Sequence, residues 1–196
     1  MRRVWVLFLL FAGVLALSGC GSAPPTAIND VCSVFSQRSG LLRNWYADAR
    51  RAERRYGIPV HVIMATVRAE SGFKGSARPP RRKLLGIVPW KRKSSAYGYS
   101  QALNGTWDQY KRETRRFRAR RGNFADSVDF VGWYHAKTVQ KYGTSPHDAF
   151  TLYLGYRYGW TGLRRGSWRN DAGAVRSASR TANFAQTYAM QLRNCR

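Results

Sequence analysis

Pro59-Val60-His61-Val62-Ile63-Met64-Ala65-Thr66-Val67-Arg68-Ala69-Glu70-Ser71-Gly72-Phe73 holds a helix start and an apolar stripe in one short run. Pro59 suits a first helical turn, where its missing N–H costs nothing. Val60, Ile63, Met64 and Val67 recur at helical spacing, which predicts a buried stripe on a helix over 59–71. Glu70 shares the face of Ile63 and Val67, so it extends the stripe instead of opposing it. A carboxyl there, beside a long loop, is partly desolvated. Desolvation raises a carboxyl pKa and keeps the proton on near neutrality, as a general acid requires. The alternative is a Glu that swings out to water or pairs with Arg68 or Lys74.

Outward from this run the chain reads as helices. Leu42, Trp45, Ala49, Ala52 and Tyr56 predict an Arg-rich helix over 41–56, ended by Gly57. Residues 74–96, with Pro79, Pro80, Pro89 and a cluster of Arg and Lys, predict a long loop, a common home of function. Helical spacing resumes over 106–121, then over 124–142 with Val128, Val131, His135 and Val139. Pro146 opens a further helix ending near Tyr158-Gly159, a Gly- and Trp-containing loop follows, and 172–192 is the last helix. There is no internal repeat and no alternating strand run. The expected class is all-α, with one domain for 196 residues.

Composition narrows the chemistry. Lys plus Arg number 34 against 10 Asp plus Glu, a net charge of +24, while 44% hydrophobic residues suffice for a core. Three Cys and three His exclude a zinc finger, an iron–sulfur site and a Cys-dense scaffold. No metal or cofactor is expected. Of three glutamates, Glu53 and Glu113 lie among Arg and Lys and read as solvated helix partners. Asp108 reads as a surface or capping residue.

Met1-Arg2-Arg3 followed by apolar Val4 to Leu17 reads as a secretory leader over 1–19, too short for a membrane span. Leu17-Ser18-Gly19-Cys20 resembles the bacterial lipobox, which implies lipidation of Cys20 and a membrane anchor through that lipid. The alternatives are an ordinary signal peptide cleaved nearby and an uncleaved anchor. Gly21 and Ser22 are not the inner-membrane retention signal. By resemblance this points to the periplasmic face of the outer membrane in a Gram-negative envelope. Residues 20–40 are expected to be a tether and N-terminal segment, and 41–196 the folded domain. With Cys20 lipidated, Cys32 and Cys195 remain in an oxidising compartment, where either a disulfide or two free thiols stand open and the disulfide is favoured.

Ala69-Glu70-Ser71-Gly72-Phe73, Tyr97-Gly98-Tyr99-Ser100-Gln101 and Gly155-Tyr156-Arg157-Tyr158-Gly159 resemble, in order, the Glu-Ser, Gly-Leu-Met-Gln and Ala-Tyr-Asn-x-Gly motifs of lytic transglycosylases. The resemblance spans about 56–195. It implies a lysozyme-like, goose-type-lysozyme-like helical domain with a long substrate-groove loop. It implies Glu70 as catalytic acid, and Ser71, Tyr97, Gln101 and Tyr156 in the substrate site, with Tyr153 a second candidate for the site tyrosine or a packed helix residue. The chain departs from the motifs at Tyr99 and Ser100 for Leu-Met, Gly155 for Ala and Arg157 for Asn.

The implied reaction needs one carboxylate, where ordinary glycosidases use two. Glu70 protonates the bridging oxygen between N-acetylmuramic acid and N-acetylglucosamine, then takes the proton of the muramyl 6-hydroxyl, leaving a 1,6-anhydro ring. Hydrolysis, as in goose-type lysozymes, is the near alternative. A non-catalytic lipoprotein that binds peptidoglycan or another polyanion is the alternative of a different class. Peptidoglycan glycan strands are the expected partner and the chain is expected to be a monomer. The export signal argues against nucleic acid despite the Arg-rich run 115–121. Trp90, Tyr97, Trp107, Trp133, Trp160 and Trp168 either line a sugar groove or pack the core, Trp90 and Trp160 being the better groove candidates.

Overall fold

The computed structural model describes residues 23–41, 43–84 and 88–195, with the backbone alone at 43, 82–84 and 88–91. The leader 1–19 and Cys20 lie outside the described residues, as does the side chain of Trp90. The elements are α1 (Val31–Ser36), β1 (Ser39–Gly40), β2 (Arg43–Asn44), α2 (Trp45–Tyr56), α3 (Val60–Ser71), β3 (Arg81–Leu84), β4 (Val88–Arg92), α4 (Asn104–Thr114), α5 (Phe124–Tyr142), α6 (Ala149–Arg165) and α7 (Ala172–Leu192). Helices dominate the described residues, in agreement with the all-α expectation. The strands form two small antiparallel pairs, β1 with β2 and β3 with β4.

α3 is the axis of the molecule and touches α2, α5, α6 and α7. The sequence predicted a stripe; the structure buries the helix almost all round, with Val60, Val62, Ile63, Met64, Ala65, Thr66 and Val67 each at most 2% exposed. Burying side chains of this size contributes about 1.5–3 kcal/mol each. The one hydroxyl in the run, Thr66, is satisfied within the helix by donating to the Val62 carbonyl at 3.0 Å. Gly72 ends α3 in the left-handed conformation at φ 56°, and its N–H returns to the Arg68 carbonyl at 2.9 Å.

Several boundaries differ from the sequence expectation. α2 begins at Trp45, because the Asn44 side chain caps the Ala47 N–H at 2.9 Å. The expected loop 74–96 contains the β3–β4 hairpin. The helix expected over 106–121 stops at Thr114, where Arg115 takes a left-handed φ of 57°. Just beyond it, Arg116 turns inward to Asp126 at 2.8 Å and Asp129 at 3.2 Å. α6 runs past its expected end to Arg165, across a break at Gly159 with φ 70° and ψ 167°.

The chain ends meet. Val31 N–H donates to the Gln191 side chain at 2.9 Å, and Tyr188 donates to the Ile28 carbonyl. A disulfide joins Cys32 to Cys195 across 163 residues of sequence. Among the described residues no helix is long and apolar enough to cross a membrane.

Candidate active site

Glu70 sits in the last turn of α3, where the central helix reaches the surface. Its side chain keeps a partial opening to solvent and is otherwise enclosed by protein. Burial pushes its carboxyl up to about 7, against a hydrogen bond from the Tyr153 hydroxyl and the positive charge of Arg157, which both act to lower it. Desolvation prevails, so the group exchanges its proton near neutrality.

α6 supplies the opposing wall. Asp148 starts this helix by accepting the Thr151 N–H at 3.0 Å. Positions 153, 156 and 157 then share one face. Tyr153 is 4% exposed. Burial, then the neighbouring Glu70 charge, raise its phenol above the ordinary value, so it remains a donor. Tyr156 donates from its hydroxyl to the Ser100 carbonyl at 2.5 Å. Burial and then Glu70 raise it as well. Both candidate tyrosines thus lie in the field of Glu70, and Tyr153 is the one that bonds it.

The Gly98–Gln101 turn adjoins this wall, its Ser100 carbonyl accepting from Tyr156. Gly98 has φ 79°, and a Cβ there would stand 2.0 Å from the Arg121 carbonyl oxygen. Gln101 is left-handed at φ 50°. That conformation is uncommon for a residue with a Cβ. The Gln101 amide nitrogen holds the turn closed by donating to the Ala77 and Gly98 carbonyls, at 3.0 and 2.8 Å. Gln101 and Tyr156 also line a cleft of about 240 Å³.

Behind Tyr156 lies a buried histidine. The His135 ring packs 5.5 Å from that of Tyr156, and its Nε2 is 2.9 Å from Thr66 Oγ1. Thr66 spends its only proton on Val62, so Nε2 carries the hydrogen and donates. Burial drives His135 down to about 3, which keeps the ring neutral.

Other sequence candidates lie apart from this arrangement. The Ser71 hydroxyl donates to the Val67 carbonyl of its own helix at 3.2 Å. Tyr97 stacks under Arg78, 4.3 Å from ring centroid to guanidinium, and lines a different cleft of about 680 Å³. That cleft is larger; of Glu70, Tyr153 and Tyr156 none lines it, while Tyr156 alone lines the smaller one, and Lys111 on the larger cleft's wall is paired with Asp108 at 3.0 Å. Tyr99 points into the core, 7% exposed, edge-on to Trp45 and Phe124. Trp107 and Trp133 are 5% exposed and belong to the core. Trp160 stacks on Tyr134 and donates to Thr138 at 3.0 Å, and Trp168 packs edge-on to Phe150. At Gly155 an added Cβ would stand 3.1 and 3.2 Å from the Leu163 and Thr138 side chains, a tight fit that a small shift of either would relieve.

Two buried groups escaped the sequence reading. His135 was visible only as one member of a helical stripe. Asp129, 4% exposed, lies between the apolar residues Val128 and Phe130 and gave no signal. It accepts from Tyr110 at 2.7 Å, Tyr56 at 2.9 Å, Arg116 at 3.2 Å and Arg55 at 3.4 Å. Its lone pairs are committed to structure. Among the described residues no three His, Cys, Asp or Glu side chains gather as metal ligands.

A family model described as a transglycosylase SLT domain matches residues 8–195, nearly the whole chain. No curated protein sequence matches it.

Proposed function

The chain belongs to the transglycosylase SLT domain family, and from that premise we propose that it cleaves the β-1,4 bond between N-acetylmuramic acid and N-acetylglucosamine in peptidoglycan, with Glu70 as the only catalytic carboxylate. One observation carries this reading: Glu70 is enclosed enough to hold its proton up to about pH 7, yet open enough to meet a substrate. An acid that must also act as base works best with a pKa near the working pH.

In the first half of the cycle Glu70 gives its proton to the bridging oxygen, and the N-acetylglucosamine hydroxyl leaves. The muramyl N-acetyl oxygen stabilises the cation developing at the anomeric carbon. The Tyr153 hydroxyl and the charge of Arg157 favour the Glu70 carboxylate that results. In the second half that carboxylate takes the proton of the muramyl 6-hydroxyl, and O6 closes on the anomeric carbon. The product is a 1,6-anhydromuramyl end, Glu70 is protonated again, and no water is consumed. Tyr156 and Gln101 shape the neighbouring cleft. The assignments of Ser71 and Tyr97 to substrate rest on the motif resemblance alone.

The test is digestion of purified peptidoglycan by the protein and by Glu70→Gln, with mass spectrometry of the fragments. Anhydro ends from the protein and none from the variant support the reading. Reducing ends place the chain with the goose-type hydrolases. Binding without cleavage makes it a wall-binding lipoprotein. We also propose that Cys20 carries the lipid and that the domain works at the periplasmic face of the outer membrane. The lipobox-like Leu17-Ser18-Gly19-Cys20 and the Cys32–Cys195 disulfide, which suits an oxidising compartment, support this placement. Incorporation of labelled palmitate that is lost in Cys20→Ala checks it.

A further inference from the structure

The acid–base cycle uses only the charge of Arg157 and leaves the donor fork of its guanidinium unassigned. Arg157 is exposed, lines the 240 Å³ cleft with Gln101, Tyr156, Tyr158 and Gly159, and stands within reach of the Tyr153 and Tyr158 hydroxyls. Among the described residues no carboxylate forms an ion pair with it, whereas the inward-turned Arg116 has two. The Arg157 guanidinium stands on the wall of this cleft in no ion pair, with Glu70 and Asp171 both within range of its charge. A guanidinium is a planar fork of donors matched to a carboxylate.

Peptidoglycan carries carboxylates in two places near a muramyl bond. Strands stripped of peptide expose the lactyl carboxylate, and intact strands carry the free carboxylates of the stem peptide. We propose that Arg157 selects substrate by binding a carboxylate of the glycan strand in this cleft, beside Glu70. The inference rests on the function proposed above and deepens it. It also couples binding to chemistry. The Arg157 charge works against proton retention on Glu70. A bound carboxylate offsets that charge, so the acid holds its proton best when the anionic strand is seated.

The experiment uses the full chain carrying Glu70→Gln, so that strands bind without being cut, at physiological salt to suppress nonspecific attraction to the basic surface. Calorimetry measures three probes: peptide-free glycan strands, stem-bearing strands and uncharged chitooligosaccharides. Adding Arg157→Asn should weaken one carboxylate-bearing class about tenfold, the worth of a charge-assisted hydrogen bond, and leave chitooligosaccharides unchanged. Arg157→Lys should recover part of the loss. Arg54→Asn, an exposed charge that does not line the cleft, should change none. Loss confined to peptide-free strands names the lactyl carboxylate, and loss confined to stem-bearing strands names the peptide. In the active protein, Arg157→Asn should also move the alkaline limb of kcat/KM, which reports the unliganded site, to higher pH. Equal weakening of all three probes, or no weakening of either anionic strand, overturns the inference and leaves the Glu70 assignment intact. Failure of every probe to bind sinks the proposed function itself, and the inference with it.

Discussion

Replacing Glu70 with Gln should remove activity and, above neutral pH, stabilise the fold. The carboxyl stands at 4.5 in an unperturbed chain and at about 7 here, raised by burial. The folded state therefore binds the proton more tightly, and this contribution to stability is fully present below pH 4.5. It is lost as pH rises through about 7, because the enclosed carboxylate must then exist unsolvated. A rise of this size corresponds to roughly 3 kcal/mol. Gln is a near isostere of the protonated acid and cannot ionise. At pH 4 the two proteins should melt together. At pH 8 the variant should be more stable by up to roughly 3 kcal/mol, or about 6–12 °C in Tm for a domain of this size. Calorimetric melts at the two pH values read the difference directly. A gap of equal size at both, or none at pH 8, would mean that Glu70 is not desolvated, and it could then not serve as the acid.

Other expectations follow from the same contacts. Tyr153→Phe removes a bond that favours the ionised form of Glu70, so kcat should fall and the alkaline limb of its pH profile should shift upward; a limb that moves down contradicts the assignment. Reducing the Cys32–Cys195 bridge, which closes 163 residues, should cost up to roughly 5 kcal/mol in the chain-entropy model, visible as a lower Tm with reductant. Gly98→Ala places a Cβ 2.0 Å from the Arg121 carbonyl at a positive φ, so a loss of several kcal/mol is expected by denaturant titration.

What the sequence made legible follows from range. The start of α3 depends on residues within its own first turn, and Pro59 marks it plainly. The stripe beneath Glu70 has a period, so its direction could be read. The two remaining cysteines could be paired once the leader was recognised. Burial on every side of α3 could not be read, because Val62 and Ala65 are covered by elements distant in sequence. The stop at Arg115 was hidden for the same reason, since Arg116 answers to Asp126 and Asp129 outside its helix. Tyr99 stands where the motif has an aliphatic residue, and only the space against Trp45 and Phe124 shows that it turns inward. A short hairpin among Pro, Arg and Lys carries no alternation that would separate it from a loop.

The chain contains two enclosed carboxylates whose surroundings are opposite, and the number of donors separates them. Four side chains converge on Asp129, two phenols and two guanidiniums. At Glu70 one phenol and one exposed guanidinium act against burial and do not overcome it. The same substitution, carboxylate to amide, should therefore have opposite signs at the two positions. Asp129→Asn takes the counter-ion from Arg55, leaves Arg116 with Asp126 alone, and replaces one acceptor oxygen with an amide NH₂ among four groups that now donate. Both guanidiniums reach solvent, which screens part of the loss. A cost of about 2–3 kcal/mol is expected, below the full penalty for breaking a buried pair. At pH 8 Glu70→Gln should raise Tm while Asp129→Asn lowers it, with the folded state of each checked by circular dichroism. If both substitutions moved Tm the same way, donor count would not be what divides the structural carboxylate from the one proposed as the acid.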